Sequence, residues 1–289
     1  MSPFVAAFIS SLFWAISTQV YSKMVNKLSV YRFNLYKSVI AIICFSTASY
    51  FMTGTLLAPI ETIPWLLLSG FLGFMLADLF IFYSFAKNGP ARTLMLSAFA
   101  PSIIGIHSYF LLGKTLPLGK IIGLIFLVIC LCFLGLERSR RGNFSIKVAI
   151  LAFIGINIEA VGLVLSKKAF MMAPEMSFMT ANFYRVIPAV VILPFLVYFK
   201  NIKIGIGDLS SKTKFSILSS SMLGTFLALY FYLYAVSHYG HPSIIAGLGS
   251  LAPIYASIYE HWKDKKYPNR YFIGAIVSMI AGVLFLILM

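Results

Sequence analysis

Acidic residues are scarce in this sequence, and so is charge in general. Only 8 of its 289 residues are Asp or Glu, and charged residues make up 11% of the chain. Soluble domains carry about 25%. Hydrophobic residues reach 60%. A water-soluble fold of this length cannot bury that much apolar surface. The composition therefore excludes an ordinary soluble protein and predicts that lipid surrounds most of the chain.

Cysteine is also rare, and the motifs of common enzyme classes are missing. Cys44, Cys130 and Cys132 all lie inside apolar runs. This placement indicates small core residues and excludes a disulfide framework or a cysteine metal site. No phosphate loop, His-Glu-x-x-His run, nucleophile elbow or kinase motif occurs. No cofactor is therefore expected.

The net charge of +15 comes from short clusters of Lys and Arg between apolar runs. No basic face carries aromatic stacking residues beside it, which argues against a nucleic-acid partner. Clusters that flank apolar helices are instead the orientation signal of membrane proteins. The expected partners are a lipid bilayer and a small-molecule substrate.

Ten apolar segments are long enough to cross a bilayer, which takes about 20 residues. Residues 1–20 lack a basic n-region and a cleavage site, so they are predicted to be a retained first helix and not a signal peptide. The fold class predicted is an all-α membrane protein with ten transmembrane helices. The predicted spans are 4–22, 32–53, 62–86, 92–113, 119–136, 146–165, 176–199, 214–237, 242–262 and 270–288.

The sequence repeats itself. Asn34-Leu35-Tyr36-Lys37 returns as Asn182-Phe183-Tyr184-Arg185, 148 residues later. Further matches at offsets of 151 or 152 are Gly73 with Gly224, Tyr83 with Tyr234, Gly89 with Gly240, Pro101 with Pro253, Pro117 with Pro268 and Gly123 with Gly274. The repeat predicts two related units, residues 1–141 and 142–289. Five spans per unit is an odd number, so a 5+5 repeat of inverted topology is expected.

The loop charges predict an orientation. Of the 23 Lys and Arg residues, 17 lie in the loops after helices 1, 3, 5, 7 and 9, and 4 lie in the other loops. Cytoplasmic loops carry the excess of positive charge. The odd-numbered loops are therefore predicted to be cytoplasmic and both termini to lie outside, in the inner membrane if the source is a bacterium.

The pattern resembles the EamA-like ten-helix branch of the drug/metabolite transporter superfamily. The resemblance covers nearly the whole chain and rests on weak elements that occur in the same order twice. They are Gly73 to Asp78, Tyr83 to Ala86, Gly89 to Arg92, Ala100-Pro101, Leu112 to Lys114, Pro117 and Gly123, then Gly224, Tyr234-Ala235, Gly240, Leu251 to Pro253, Pro268, Gly274 and Gly282. The resemblance implies a transporter of small metabolites, often amino acids or related compounds, that works by alternating access.

Two features depart from that family pattern. Lys114 follows Leu112-Gly113 where the family often has Glu. Members of the family often keep both termini in the cytoplasm, which is opposite to the loop charges here. The orientation of the termini is therefore open between the two arguments.

Charged residues inside the spans are candidates for function, because such residues usually face a cavity or pair with each other. Glu159, next to Asn157, lies far from both ends of helix 6. It could carry a proton or bind a substrate amine, or it could form a fixed salt bridge. Asp78 could line the path or pair with Lys37 or Arg185.

Lys37 and Arg185 occupy equivalent places in the repeat. Lys37 is close to a basic loop and could extend toward the interface, as long basic side chains near helix ends do, form an ion pair, or contact the substrate. Arg185 is deeper and is expected to need a partner. It could bind a substrate carboxylate or phosphate, or it could belong to the scaffold.

Other candidates concern hinges, gates and relays. Pro101 and Pro253 are predicted to break helices 4 and 9 beside the binding site, with a packing kink as the alternative. Glu260 and His261 lie near the end of helix 9 and could form a gate or proton relay, or be merely interfacial. His107 in helix 4 is equally consistent with packing.

Aromatic residues could wall the substrate site. Trp14, Tyr83, Tyr230 and Tyr234 are candidates, and Tyr230 and Tyr234 share a helix face. Such rings can bind an amine by cation–π contact. Most membrane aromatics are packing or interfacial residues, which is the alternative. Thr18 and Gln19 could be polar contacts of the same cavity.

These observations predict a secondary transporter, working as a monomer or homodimer. No ATP-binding domain is present, so transport would be proton-coupled or proceed by exchange. The alternatives are a membrane-embedded enzyme and a non-transporting membrane interaction protein. An enzyme would need acids and histidines that converge in space. An interaction protein would have little need for Glu159.

Overall fold

The computed structural model describes residues 1–138, 145–252, 254–255, 258 and 270–288, and within these ranges every element is helical. Before residue 139 the helices are α1 (Pro3–Leu28), α2 (Val30–Thr53), α3 (Ile63–Gly70), α4 (Asp78–Asn88), α5 (Pro90–Leu96), α6 (Ala100–Leu112) and α7 (Leu118–Arg138). After residue 144 they are α8 (Ile146–Met172), α9 (Phe178–Phe199), α10 (Ser211–Ser221), α11 (Ala228–His238), α12 (Pro242–Gly249) and α13 (Arg270–Leu288).

Six helical stretches of the described chain are long and apolar enough to cross a membrane. They are Pro3–Leu28, Val30–Thr53, Ile63–Asn88, Ile146–Met172, Phe178–Phe199 and Ser211–His238. Shorter apolar helices cover Ala100–Leu112, Leu118–Cys130 and Arg270–Leu286. The prediction of an all-helical membrane protein is thus confirmed.

Most helix ends lie within a few residues of the predicted spans. The larger differences are at the C-terminal ends of α1 and α8, which continue to Leu28 and Met172. The added turns contain polar and basic residues, such as Lys23 in α1 and Lys167 in α8. A prediction based on apolar length stops where polarity begins, although the helical hydrogen bonds continue.

The outer surface of the helices is apolar. Ile43, Phe195 and Val277 are each more than half exposed, at 59%, 59% and 61%. In water such side chains would be unfavourable, whereas in a bilayer they face acyl chains. Polar groups are instead concentrated toward the interior, where they can be paired.

Two turns of π-helix interrupt the long helices that contain α3 and α10. Phe71–Ala77 joins α3 to α4, and Met222–Leu227 joins α10 to α11. The two turns begin 151 residues apart and contain the matched glycines Gly73 and Gly224. Such turns occur frequently at functional sites because they redirect the residues that follow them. Both border the central cavity described below.

The predicted break in helix 4 lies immediately before Pro101. A 3₁₀ turn, Ser97–Phe99, separates α5 from α6, and Pro101 occupies the first turn of α6. At that position the missing N–H of proline costs no helical hydrogen bond. Pro253 and Glu260, the other predicted hinge and gate residues, lie outside the described residues.

Glycines allow α3 to lie between α8 and α9. A Cβ on Gly70 would lie 1.8 Å from the carbonyl oxygen of Arg185, and a Cβ on Gly162 would lie 2.9 Å from the carbonyl oxygen of Ser69. Neither backbone pair leaves room for a side chain, so this packing depends on glycine. Elsewhere α2 packs on α9, α7 on α13, α1 on α11 and α8 on α4.

Candidate functional site

A cavity of about 180 Å³ lies among the central turns of the helices. Its walls come from α1, α2, α4, α5, α6, α8, α9, α11 and α12, together with both π-helical turns. Four charged side chains line it, namely Lys37, Asp78, Glu159 and Arg185. The charges that the sequence places inside apolar spans therefore converge on one space.

Lys37 and Asp78 form an ion pair across the cavity wall. The Lys37 ammonium donates to Oδ2 of Asp78, and Lys37 is only 3% exposed. Its Nζ also lies 4.8 Å from the ring centroid of Phe82 and 5.5 Å from that of Phe74. The expectation that Lys37 extends to the membrane interface is therefore wrong. A nearby carboxylate and two aromatic faces offset the cost of its burial.

Arg185 is held by polar neighbours and not by an acid. Its Nε donates to Oγ of Ser69 at 3.0 Å, and its Nη1 donates to Oδ1 of Asn182 at 3.2 Å. The Phe74 ring lies 5.2 Å from the guanidinium carbon. Among the described residues, no carboxylate lies within salt-bridge distance of it. A guanidinium has five N–H groups, so several of its donors remain available.

Ser69 connects three helices around Arg185. Its hydroxyl donates to the carbonyl oxygen of Gly162 at 2.6 Å and shares a 2.7 Å hydrogen bond with the hydroxyl of Ser166. Ser69 lies on α3, Gly162 and Ser166 on α8, and Arg185 on α9. The network fixes the direction of the guanidinium. Sequence reasoning missed both serines, since an isolated Ser in an apolar helix carries no distinctive pattern.

Glu159 has no partner in the part of the chain that the structure describes. It lies in the middle of α8, its side chain is exposed, and it lines the cavity. No hydrogen bond or ion pair reaches its carboxylate among the described residues. Asp78, Arg185 and Lys37 line the same cavity. The carboxylate is thus free to bind a proton or a cationic group that enters the cavity.

Aromatic rings form another wall. The rings of Trp14 and Tyr232 lie 4.9 Å apart, and the Trp14 indole donates to the carbonyl oxygen of Gly224 at 3.0 Å. The hydroxyl of Tyr21 bonds Oγ1 of Thr225 at 2.7 Å. Trp14 and its neighbour Thr18 both line the cavity, and their contact with a substrate stays a prediction.

Tyr230 and Tyr234 lie outside the cavity lining. Both rings contact Phe178, at 5.2 and 5.4 Å, and the Tyr234 hydroxyl donates to the carbonyl oxygen of Met1 at 2.8 Å. Tyr232 lines the cavity instead. The helical spacing of Thr225, Leu229 and Tyr232, with Leu229 at the position equivalent to Asp78, could have indicated that face.

Four other predicted site residues also lie outside the cavity lining. Tyr83 on α4 is 39% exposed, and the Asn157 amide donates to the carbonyl oxygen of Phe153 in its own helix at 2.9 Å. Gln19 on α1 and His107 on α6 are partly buried away from the cavity. Pro101 is buried, and its neighbour Ala100 lines the cavity. A role for these residues in transport stays a prediction.

The chemistry of this site suits a polar organic solute. Within the described ranges, no group of three or more His, Cys, Asp or Glu side chains could hold a metal ion. The described lining instead offers one free carboxylate, one guanidinium with free donors, an internal ion pair and aromatic walls. Such a set can recognise separate cationic and anionic groups on one small molecule.

Comparison with known proteins adds the family. Residues 1–136 and 146–288 match the model of the EamA-like transporter family. Among curated proteins, none matches. A protein of known crystal structure superposes with a TM-score of 0.75 over 99% of this chain and 96% of its own, at 14% identity, so that likeness concerns the fold alone. Because the family match covers nearly its whole length, the chain belongs to the EamA-like transporter family of the drug/metabolite transporter superfamily.

Proposed function

We propose that the protein is a secondary transporter that moves a small organic metabolite through the central cavity by alternating access. The observation that carries the proposal concerns Glu159. Its carboxylate has no partner among the described residues. It lies in the middle of the long apolar helix α8 and lines the cavity. Placing an acidic side chain inside a membrane-spanning helix costs free energy. A binding or coupling role explains why it is present.

The substrate class is an amino acid or a related zwitterion. Glu159 binds the cationic group, and the free N–H groups of Arg185 bind the carboxylate. With both charges ionised, the two side chains sum to zero. The Lys37–Asp78 pair adds no net charge either. A substrate with balanced charges leaves the loaded cavity neutral, which lowers the cost of moving it through the membrane.

Coupling of substrate transport to protons follows from the free carboxylate of Glu159. Glu159 binds either a proton or the cationic group of the substrate, and each displaces the other. Proton and substrate therefore cross in opposite directions, as an exchange. This mechanism uses one group and requires no second ion site.

The frame is an inverted repeat of five helices plus five. The two stretches matched to the family model support this arrangement. So do the helix contacts, because helices at equivalent places pack together, α2 on α9 and α7 on α13, while α1–α11 is mirrored by α8–α4. The odd-numbered loops are cytoplasmic in this proposal, in line with their positive charge.

The moving parts are the irregular turns around the cavity. The two π-helical turns and the 3₁₀ turn at Ser97–Phe99 interrupt the helices that line it. Irregular backbone in a membrane is tolerated where it is buried in protein or lines a cavity. Pro253 and Glu260 remain proposed hinge and gate residues of helix 9.

Uptake by proteoliposomes tests the proposal. The purified protein is reconstituted, and an equimolar mixture of the twenty ¹⁴C-labelled protein amino acids is added outside. The expected result is uptake that saturates and that Glu159→Gln reduces strongly. Equal uptake by empty liposomes and by proteoliposomes would exclude amino acids as substrates. A panel of nucleosides, amines and organic phosphates would then test the wider proposal.

A further inference from the structure

Two buried tyrosines line the cavity, and only one has a partner for its hydroxyl. Tyr21 is 5% exposed, and its hydroxyl bonds Thr225 at 2.7 Å and the carbonyl oxygen of Ser220 at 3.1 Å. Tyr232 is 8% exposed. Among the described residues, its hydroxyl has no hydrogen-bond partner. Because Tyr232 lines the cavity, this hydroxyl is available to a group that binds there.

The ring of Tyr232 is held firmly where it is. Trp14 packs against it with ring centroids 4.9 Å apart, and Gly249 on α12 leaves room for it, since a Cβ there would lie 3.1 Å from the ring. The hydroxyl is therefore directed by packing and not by a hydrogen bond. It lines the same cavity as Glu159 and Arg185.

We infer that Tyr232 is a direct substrate ligand whose hydroxyl donates to the substrate carboxylate beside Arg185. The inference rests on the proposed function and extends it by one specificity-determining residue. A guanidinium and a phenol that both donate to one carboxylate select substrates that carry this group. Amines without a carboxylate leave both donors without a partner, which is costly in a buried site.

Tyr232→Phe tests the inference, and Tyr21→Phe is the matched control. Both variants keep the aromatic ring and remove one hydroxyl from the same cavity. The readouts are the apparent KM and maximal rate for uptake of the labelled amino-acid mixture, and the melting temperature of the protein in detergent. Tyr232→Phe is expected to raise the apparent KM about tenfold, as loss of one hydrogen bond to a charged group does.

The two variants should differ in their melting temperatures. The melting temperature of Tyr232→Phe should stay at the wild-type value, because its hydroxyl has no partner among the described residues. Tyr21→Phe should melt at a lower temperature, because it loses two internal contacts. An apparent KM within twofold of wild type for Tyr232→Phe would overturn the inference while transport itself stands. Absence of amino-acid uptake by the wild type would remove the proposed substrate class and the inference together.

Discussion

At the scale of single residues, the four charged side chains of the cavity have different surroundings. Lys37 and Asp78 neutralise each other, and Arg185 is held by Ser69 and Asn182. Among the described residues only Glu159, of these four, has no such contact. Three of the charges therefore have contacts that contribute to the structure of the site, whereas Glu159 has none among the described residues, and the proposed function gives it a binding role.

This difference predicts that substitutions of Asp78 and Glu159 affect the stability of the protein differently. Asp78→Asn leaves the buried ammonium of Lys37 without its counter-charge and should destabilise the protein by about 3 kcal/mol. Glu159→Gln should leave the stability within about 0.5 kcal/mol of wild type, since no internal contact is lost. Unfolding in detergent with increasing denaturant measures both.

A double variant is the control for the ion pair. Lys37→Met combined with Asp78→Asn removes both charges and should recover much of the stability that Asp78→Asn loses. If Asp78→Asn and Glu159→Gln were equally stable, the distinction between a structural pair and a free carboxylate would be wrong.

The sequence shows which charged residues lie within the predicted spans, but it does not determine which partners they contact. Asp78 had two possible partners, Lys37 and Arg185, and only the packing of α2 against α4 decides between them. The choice of Tyr232 over Tyr230 and Tyr234 depends on the rotation of α11. That rotation is set after the π-helical turn, and its trace in the sequence is the helical spacing of Thr225, Leu229 and Tyr232.

At the scale of helices, the matched glycines of the two π-helical turns have different neighbours. A Cβ on Gly224 would lie 2.4 Å from Cβ of Ser17 and 2.5 Å from the hydroxyl oxygen of Tyr21. A Cβ on Gly73 would meet only Nη2 of Arg185, at an ordinary 3.7 Å. Close contact of α1 with the second turn therefore depends on glycine, whereas the first turn has space.

These two glycines give a second prediction, which concerns the free energy of unfolding. Gly224→Ala should lower the free energy of unfolding by about 1–3 kcal/mol, the usual cost of overpacking. Gly73→Ala should be as stable as wild type. Thermal unfolding of the two variants side by side makes the comparison. Equal losses of stability would mean that the close packing of α1 against the second turn has no energetic weight.

Helix bounds were largely predictable, because apolar length and loop charge follow directly from the bilayer. The π-helical turns were not, since the segments around Gly73 and Gly224 are as apolar as an ordinary helix. The repeat did mark their location, because it pairs these glycines. It gave no indication that the hydrogen-bond pattern changes there.

At the scale of the whole molecule, the inverted repeat makes a prediction about sidedness. The loops after α2 and after α9 are equivalent in the two units and should lie on opposite faces of the membrane. Leu57 and Lys203 are exposed residues of these loops. In a variant without native cysteines, Lys203→Cys should react with an impermeant maleimide only from the cytoplasmic side, and Leu57→Cys only from outside.

Labelling of both cysteines from the same side would exclude the inverted arrangement. Reversal of both would keep the inversion and overturn the orientation taken from the 17 to 4 distribution of basic residues. The labelling therefore also separates the charge argument from the opposite topology that is common in the family.

The central claim is that Glu159 binds a proton and the substrate alternately. Its most direct test is the direction of the proton gradient that drives accumulation of the labelled amino-acid mixture in proteoliposomes. The account predicts accumulation when the lumen is more acidic than the exterior, and loss of this dependence in Glu159→Gln. Accumulation driven only by an acidic exterior, or an unchanged dependence in Glu159→Gln, would contradict it.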